Sequence, residues 1–254
     1  MTQFTDNIKI FNGNTLKFLA CITMLIDHAG ILLFPGHDIF RIIGRIAFPI
    51  FAFMIAEGCR YTKNKLRHFL MIFGLGVLCQ LAYVVSDPKS GFSYMNILIT
   101  FSFSVIVIYC LQFLKKQIFA DERNVLGVIG SATLFIVSVI GVYVFNSFIE
   151  IDYGFFGAML PVFVSIFMFE PNSDLKIKRL LDKNEIHVLC LAAGLCLLFL
   201  ESENEFRHYA LISVIPLLFY SGRKGKLNTK YFFYIFYPAH LLILYAISYL
   251  MPLF

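Results

Sequence analysis

Residues 124–148 read NVLGVIGSATLFIVSVIGVYVFNSF, and this stretch decides the fold class. It is 25 residues long and carries no charged side chain. At 1.5 Å rise per residue, a helix of about 20 such residues crosses the ~30 Å hydrocarbon core of a bilayer. A barrel strand would alternate apolar and polar residues over about ten positions. Unbroken apolar character therefore predicts a membrane-spanning α-helix.

Similar runs recur along the whole chain. Of its 254 residues, 59% are hydrophobic and 15% charged, against about 45–50% and 25% in soluble domains. No room remains for a soluble domain. The expected fold is all-α: one polytopic helical domain over residues 1–254, multi-pass in the cell (plasma) membrane, with the lipid bilayer as its surroundings. About nine transmembrane helices are expected, near 15–34, 39–58, 66–85, 94–114, 124–148, 153–170, 186–200, 207–220 and 231–252. The seventh and eighth are short. Residues 1–14 are mixed polar and the first run is long, so it reads as a retained span rather than a secretory signal. Cys21, Cys59, Cys79, Cys110, Cys190 and Cys196 form no C-x-x-C pair and read as small hydrophobes.

Basic residues set the orientation. Alternate segments hold Lys9 and Lys17; Arg60, Lys63, Lys65 and Arg67; Lys115, Lys116 and Arg123; Lys176, Lys178, Arg179 and Lys183; and Arg223, Lys224, Lys226 and Lys230. These are 17 of the 21 basic residues. The opposite loops hold only Lys89 and Arg207, and they also hold the acidic run 201–205. The N-terminus is expected in the cytoplasm. The basic loops follow from this rule and require no nucleic acid.

Four ionisable groups fall inside the first two spans. Residues 24–31 read MLIDHAGI, placing Asp27 and His28 in an otherwise apolar run, and Arg41 and Arg45 follow in the second span. A buried charge costs roughly 2.5–3.5 kcal/mol on insertion scales and calls for a partner or for water. His28 lies six residues before Phe34 and Arg45 six after Ile39, so both sit about 9 Å from the same boundary. The short turn Pro35-Gly36-His37-Asp38 makes the two spans antiparallel neighbours. Asp27 is expected to pair with an arginine, most simply Arg45. His28 points about 100° away around the helix. Histidine suits proton transfer near neutral pH, and two arginines exceed what one aspartate neutralises. The excess favours an anionic ligand or a developing oxyanion.

Other polar positions are secondary. Pro49 is expected to kink the second span. Glu57 ends that span as a functional carboxylate or as a partner for Arg60 or Lys17. Gln80 reaches a level similar to His28, and His240 lies near the midplane of the last span behind Pro238. Asn96 and Asp152 are weaker candidates for lining a cavity. No phosphate-binding loop, dinucleotide fingerprint, nucleophile elbow or H-E-x-x-H motif occurs, and no spacing supports a metal.

Three blocks carry a family resemblance: Leu16-Lys17 with Met24–Gly30; Arg41–Phe53 running into Glu57-Gly58 and Thr62; and Phe236-Tyr237-Pro238-Ala239-His240-Leu241. They resemble the TraX family of conjugal transfer proteins, with a departure at Cys59, where a bulky aromatic is expected. That family's named member is linked to N-terminal acetylation of a pilin. The chain is similar more widely to membrane acyltransferases such as heparan-glucosaminide acetyltransferase, in which an early-span histidine precedes an F-P-x-F segment.

The resemblance implies an acetyltransferase with acetyl-CoA as cosubstrate and an exported acceptor: a pilin-like N-terminus, a peptide or a glycan. His28 would be the general base, with a covalent acetyl-imidazole as an open variant. Asp27 and Arg45 complete the expected catalytic set. Arg41, Gln80, His240 and Glu57 are the expected substrate-binding residues. Two other classes stay open: a transporter or permease, because intramembrane Asp, His and Arg also mark such pathways, and a scaffold for conjugation or secretion. The acceptor and the oligomeric state are not set by the sequence.

Overall fold

A computed structural model of the chain describes residues 9–86, 93–120, 122, 124–170, 176–201, 205–226 and 230–250. Lys89, Arg123 and positions 202–204 of the acidic loop lie outside the described residues. The fold is all-α and built as a polytopic membrane protein. Its helices are α1 (Gly13–Leu32), α2 (Asp38–Gly44), α3 (Ala47–Tyr61), α4 (Lys65–Ser86), α5 (Ile97–Ile118), α6 (Val125–Phe148), α7 (Gly154–Ser165), α8 (Lys176–Leu181) and α9 (Asn184–Glu201). A 3₁₀ helix (Glu205–Ser213), α10 (Val214–Leu218) and α11 (Lys230–Leu250) complete it. Two short strands, β1 (Tyr94–Met95) and β2 (Glu150–Ile151), pair in parallel.

Among the described residues, six helical segments are long and apolar enough to cross a membrane: Gly13–Leu32, Asp38–Tyr61, Lys65–Val84, Ile97–Ile118, Val125–Phe148 and Phe232–Leu250. Gly154–Ser165 and Asn184–Leu200 are shorter apolar helices. The span expected over 207–220 has a different build, a 3₁₀ helix running into the five-residue α10. Arg207 and His208 make its first half polar, and Pro216 removes a backbone donor from the second.

The helices divide into two compact units: residues 1–54 with 191–254, and residues 55–190. In the first, α1 packs along α2 and against α11. Asn12 caps α1, its side-chain oxygen accepting from the Thr15 amide at 3.0 Å. The chain then turns at Gly36, whose φ of +88° is open to glycine at no steric cost. Gly30 and Gly44 let α1 and α2 approach closely: a Cβ at Gly30 would collide with Phe40, and one at Gly44 with Asp27.

The second expected span is two helices, not one kinked helix. Pro49 falls in the first turn of α3, and the break lies at Arg45 and Ile46. Proline lacks the N–H that would reach the carbonyl four residues back, and its ring crowds that carbonyl. For Pro49 this is the carbonyl of Arg45. The helix therefore stops one turn upstream of the proline, with a 3₁₀-type bond from the Ile46 amide to the Ile43 carbonyl at 3.3 Å.

In the second unit α5 packs against α4, α6 and α7. Its buried hydroxyls satisfy themselves on carbonyls: Thr100 donates to Asp152 at 3.1 Å and Ser104 to Ala158 at 2.7 Å. Lys115 caps α7, its ammonium donating to the carbonyls of Ser165 and Met168. Asp182 takes Arg60 at 2.6 Å and lies 3.1 Å from His187. Apolar side chains of α6 such as Leu126, Ile136 and Val137 are exposed, as a hydrocarbon solvent permits.

The close approach at Gly44 sets a paired test. Gly44→Ala forces Asp27 aside and should destabilise the protein by about 1–3 kcal/mol. Gly74, also helical, has nothing within 4 Å of its added Cβ, so Gly74→Ala should leave the melting temperature in detergent unchanged or raise it.

Candidate functional site

The site is built in the first unit, where α1 offers two adjacent polar side chains to two different neighbours. Asp27 turns toward α2. Its Oδ1 lies 3.0 Å from Nη1 of Arg41, and its side chain lies against Gly44. Those two atoms meet by charge and distance but without hydrogen-bond angles. Arg45 also acts electrostatically on Asp27. The expected partner was Arg45; the ion pair resolved is to Arg41, one turn closer to the end of the span. Arg45 itself is buried, at 6% exposure, where α2 gives way to α3.

His28 turns the other way, to α11. Its Nδ1 lies 2.8 Å from Nε2 of His240. The ring centroids are 4.9 Å apart and the planes differ by 25°. His240 is 3% exposed. Its second ring nitrogen, Nδ1, lies 2.8 Å from the carbonyl oxygen of Phe236, one turn earlier on α11. The Phe236 ring stacks on the imidazole at 5.1 Å and 11°, and Tyr237 meets it edge-on at 5.8 Å. Both arginines and His240 act electrostatically on His28.

Four of the seven expected residues thus meet in one place: Asp27, His28, Arg41 and His240, with Arg45 in electrostatic reach. Gln80 and Glu57 belong to the second unit. The Gln80 carboxamide is engaged there: its Nε2 donates to the Tyr94 carbonyl at 2.7 Å, and its Oε1 accepts from the Asn96 backbone at 2.9 Å. Asn96 in turn caps α5, accepting from the Leu98 amide at 3.0 Å, and donates to the Gly76 carbonyl at 2.9 Å. These two amides tie α4 to the β1 turn and the start of α5. Glu57 is half-buried along α3.

Helical arithmetic alone does not put His240 beside His28. The signal lay in the third resemblance block, which carries a histidine matching the one in the first.

The TraX protein family profile matches residues 12–248. The chain belongs to the TraX family. A relative from Dichelobacter nodosus, described as a probable fimbrial assembly protein FimC of serogroup H1, is 25% identical over 251 residues, covering 92% of this chain and 94% of its own length. A Rickettsia prowazekii protein described as uncharacterized protein RP591 is 48% identical over 60 residues, 24% of this chain and 23% of its own. No solved structure matches. The TraX family is associated with pilin acetylation, and all seven expected site residues lie inside the matched range.

Removing one partner of a buried ion pair strands the other. Asp27→Asn and Arg41→Gln should each lower thermal stability in detergent. The double variant should lose less than the sum, with a coupling of about 1 kcal/mol or more by double-mutant cycle. Strict additivity would show that the pair contributes nothing.

Proposed function

We propose that this TraX protein is an integral membrane acyltransferase, moving an acetyl group from cytoplasmic acetyl-CoA to an amine or hydroxyl of an exported acceptor. The acceptor class is a pilin-like N-terminus, a peptide or a glycan. The observation that carries the reading is His28: an imidazole inside a helix bundle, hydrogen-bonded to a second imidazole, one residue from a carboxylate paired with arginine. A base held in orientation by a second group is the arrangement that activates a nucleophile. The family's association with pilin acetylation supports the same chemistry.

In this reading His28 accepts the acceptor's proton as its nitrogen or oxygen bonds to the thioester carbonyl carbon. Arg45, with Arg41, balances the negative charge that develops on the carbonyl oxygen. The carbon–sulfur bond then breaks, and the departing thiolate takes the proton back from the His28 imidazolium. His28 ends as it began. Asp27 holds Arg41 in place. Basic residues of the first unit, Arg223 and Lys224, attract the CoA phosphates from the cytoplasmic side. That side is assigned by the excess of Lys and Arg.

The test uses radiolabelled acetyl-CoA and membranes holding wild type, His28→Ala or His28→Gln at equal level, each monodisperse in detergent. Transfer of label to a membrane or secreted product should fall about 10²–10⁴-fold in both variants. Equal labelling by all three would remove His28 from the chemistry. Labelling no higher than that of empty membranes, with candidate acceptors supplied, would return the chain to the transporter or scaffold classes.

A further inference from the structure

We propose that His240 is a positioning residue that fixes His28 in the Nδ1–H tautomer and so directs its basic lone pair to Nε2. The catalytic meaning rests on the acyltransferase reading; the tautomer itself does not.

One group in the chain of contacts cannot change role, the Phe236 carbonyl. A backbone carbonyl only accepts. Nδ1 of His240 lies 2.8 Å from the Phe236 carbonyl oxygen, so that nitrogen carries the proton. A neutral imidazole has one donor and one acceptor nitrogen, which makes Nε2 of His240 an acceptor. It faces Nδ1 of His28 at 2.8 Å, so Nδ1 of His28 donates. The remaining nitrogen of His28, Nε2, holds the lone pair. The N–H and lone-pair directions lie in the ring planes, and with the facing nitrogens 2.8 Å apart and the ring centroids 4.9 Å apart each nitrogen points at the other ring. The stacked Phe236 ring restrains the imidazole of His240 from turning.

His240 therefore serves neither as a second base nor as a substrate ligand. It decides which nitrogen of His28 is available, in the way that the hydrogen bond on one ring nitrogen sets the state of the other. Glutamine at position 240 can still accept from His28 through its amide oxygen. Alanine cannot.

The experiment is nitrogen NMR on the full chain in detergent with ¹⁵N-labelled histidine, which separates protonated from unprotonated ring nitrogens. The His28 signals are assigned by their loss in His28→Gln. Wild type should show His28 with Nδ1 protonated and Nε2 bare. His240→Gln should keep that pattern, and His240→Ala should lose it. In the acetyl-transfer assay His240→Ala should drop kcat by roughly 10²-fold with little change in the KM for acetyl-CoA, and His240→Gln should recover most of it. Wild type with Nε2 of His28 protonated, as would follow if His240 carried a second proton, overturns the proposal. So does an unchanged pattern in a folded His240→Ala. A correct tautomer in a protein that transfers no acetyl group would sink the acyltransferase reading and leave the tautomer standing.

Discussion

A membrane interior offers little water, so a polar side chain placed there is driven toward a partner inside the protein. That constraint explains why two adjacent polar residues in α1 serve different neighbours. Asp27 and His28 diverge by about 100° around the helix, and one partner cannot serve both. Asp27 meets Arg41 on α2. His28 meets His240 on α11. Two consecutive residues thus bind one helix to two others, and the site forms where these obligations are met.

The same rule shapes the backbone around it. Pro49 denies the Arg45 carbonyl its helical donor, and the chain breaks there into α2 and α3. A buried guanidinium stands at that break. The small residues Gly30 and Gly44 are its counterpart in packing. Because each lacks a Cβ, Phe40 and the Asp27 side chain fill the space between α1 and α2. Without the gap at Gly44, Asp27 could not lie where Arg41 reaches it. In the second unit Thr100, Ser104, Lys115 and Gln80 serve the same end, each donating to a main-chain carbonyl.

The long apolar runs were legible because length and continuity alone define a membrane helix. Residues 13–32, 65–84, 97–118, 125–148 and 232–250 fall close to their expected bounds. The region 207–220 was less legible because Phe, Leu and Ile supply hydrophobicity whether or not the backbone makes a regular helix. Pro49 marks a disruption in the sequence, and its effect acts four residues upstream, at Arg45. At the site, helical arithmetic brought α1 and α2 together through their short turn. It could not tell Arg41 from Arg45 as the partner, because both lie on one face a turn apart. The pairing of residues 28 and 240 spans 212 positions, and no local pattern encodes such a contact. For Gln80, depth along a helix says how far in a residue lies, and its partners Tyr94 and Asn96 follow from the loop packed beside it.

The identity of the partner on His28 carries a chemical consequence. With Arg41 on Asp27, the neighbouring carboxylate is already engaged, and the group that orients the histidine is another imidazole. A carboxylate in that place would accept a hydrogen bond whatever else happened around it. An imidazole accepts only if its own proton sits on the far nitrogen. The directionality of the pair thus rests on the Phe236 carbonyl, a main-chain group with no protonation states of its own. Under the proposed tautomer, a fixed backbone acceptor at one end gives two otherwise ambiguous rings a single polarity. In the proposed arrangement, that polarity leaves Nε2 of His28 as the nitrogen to receive a proton.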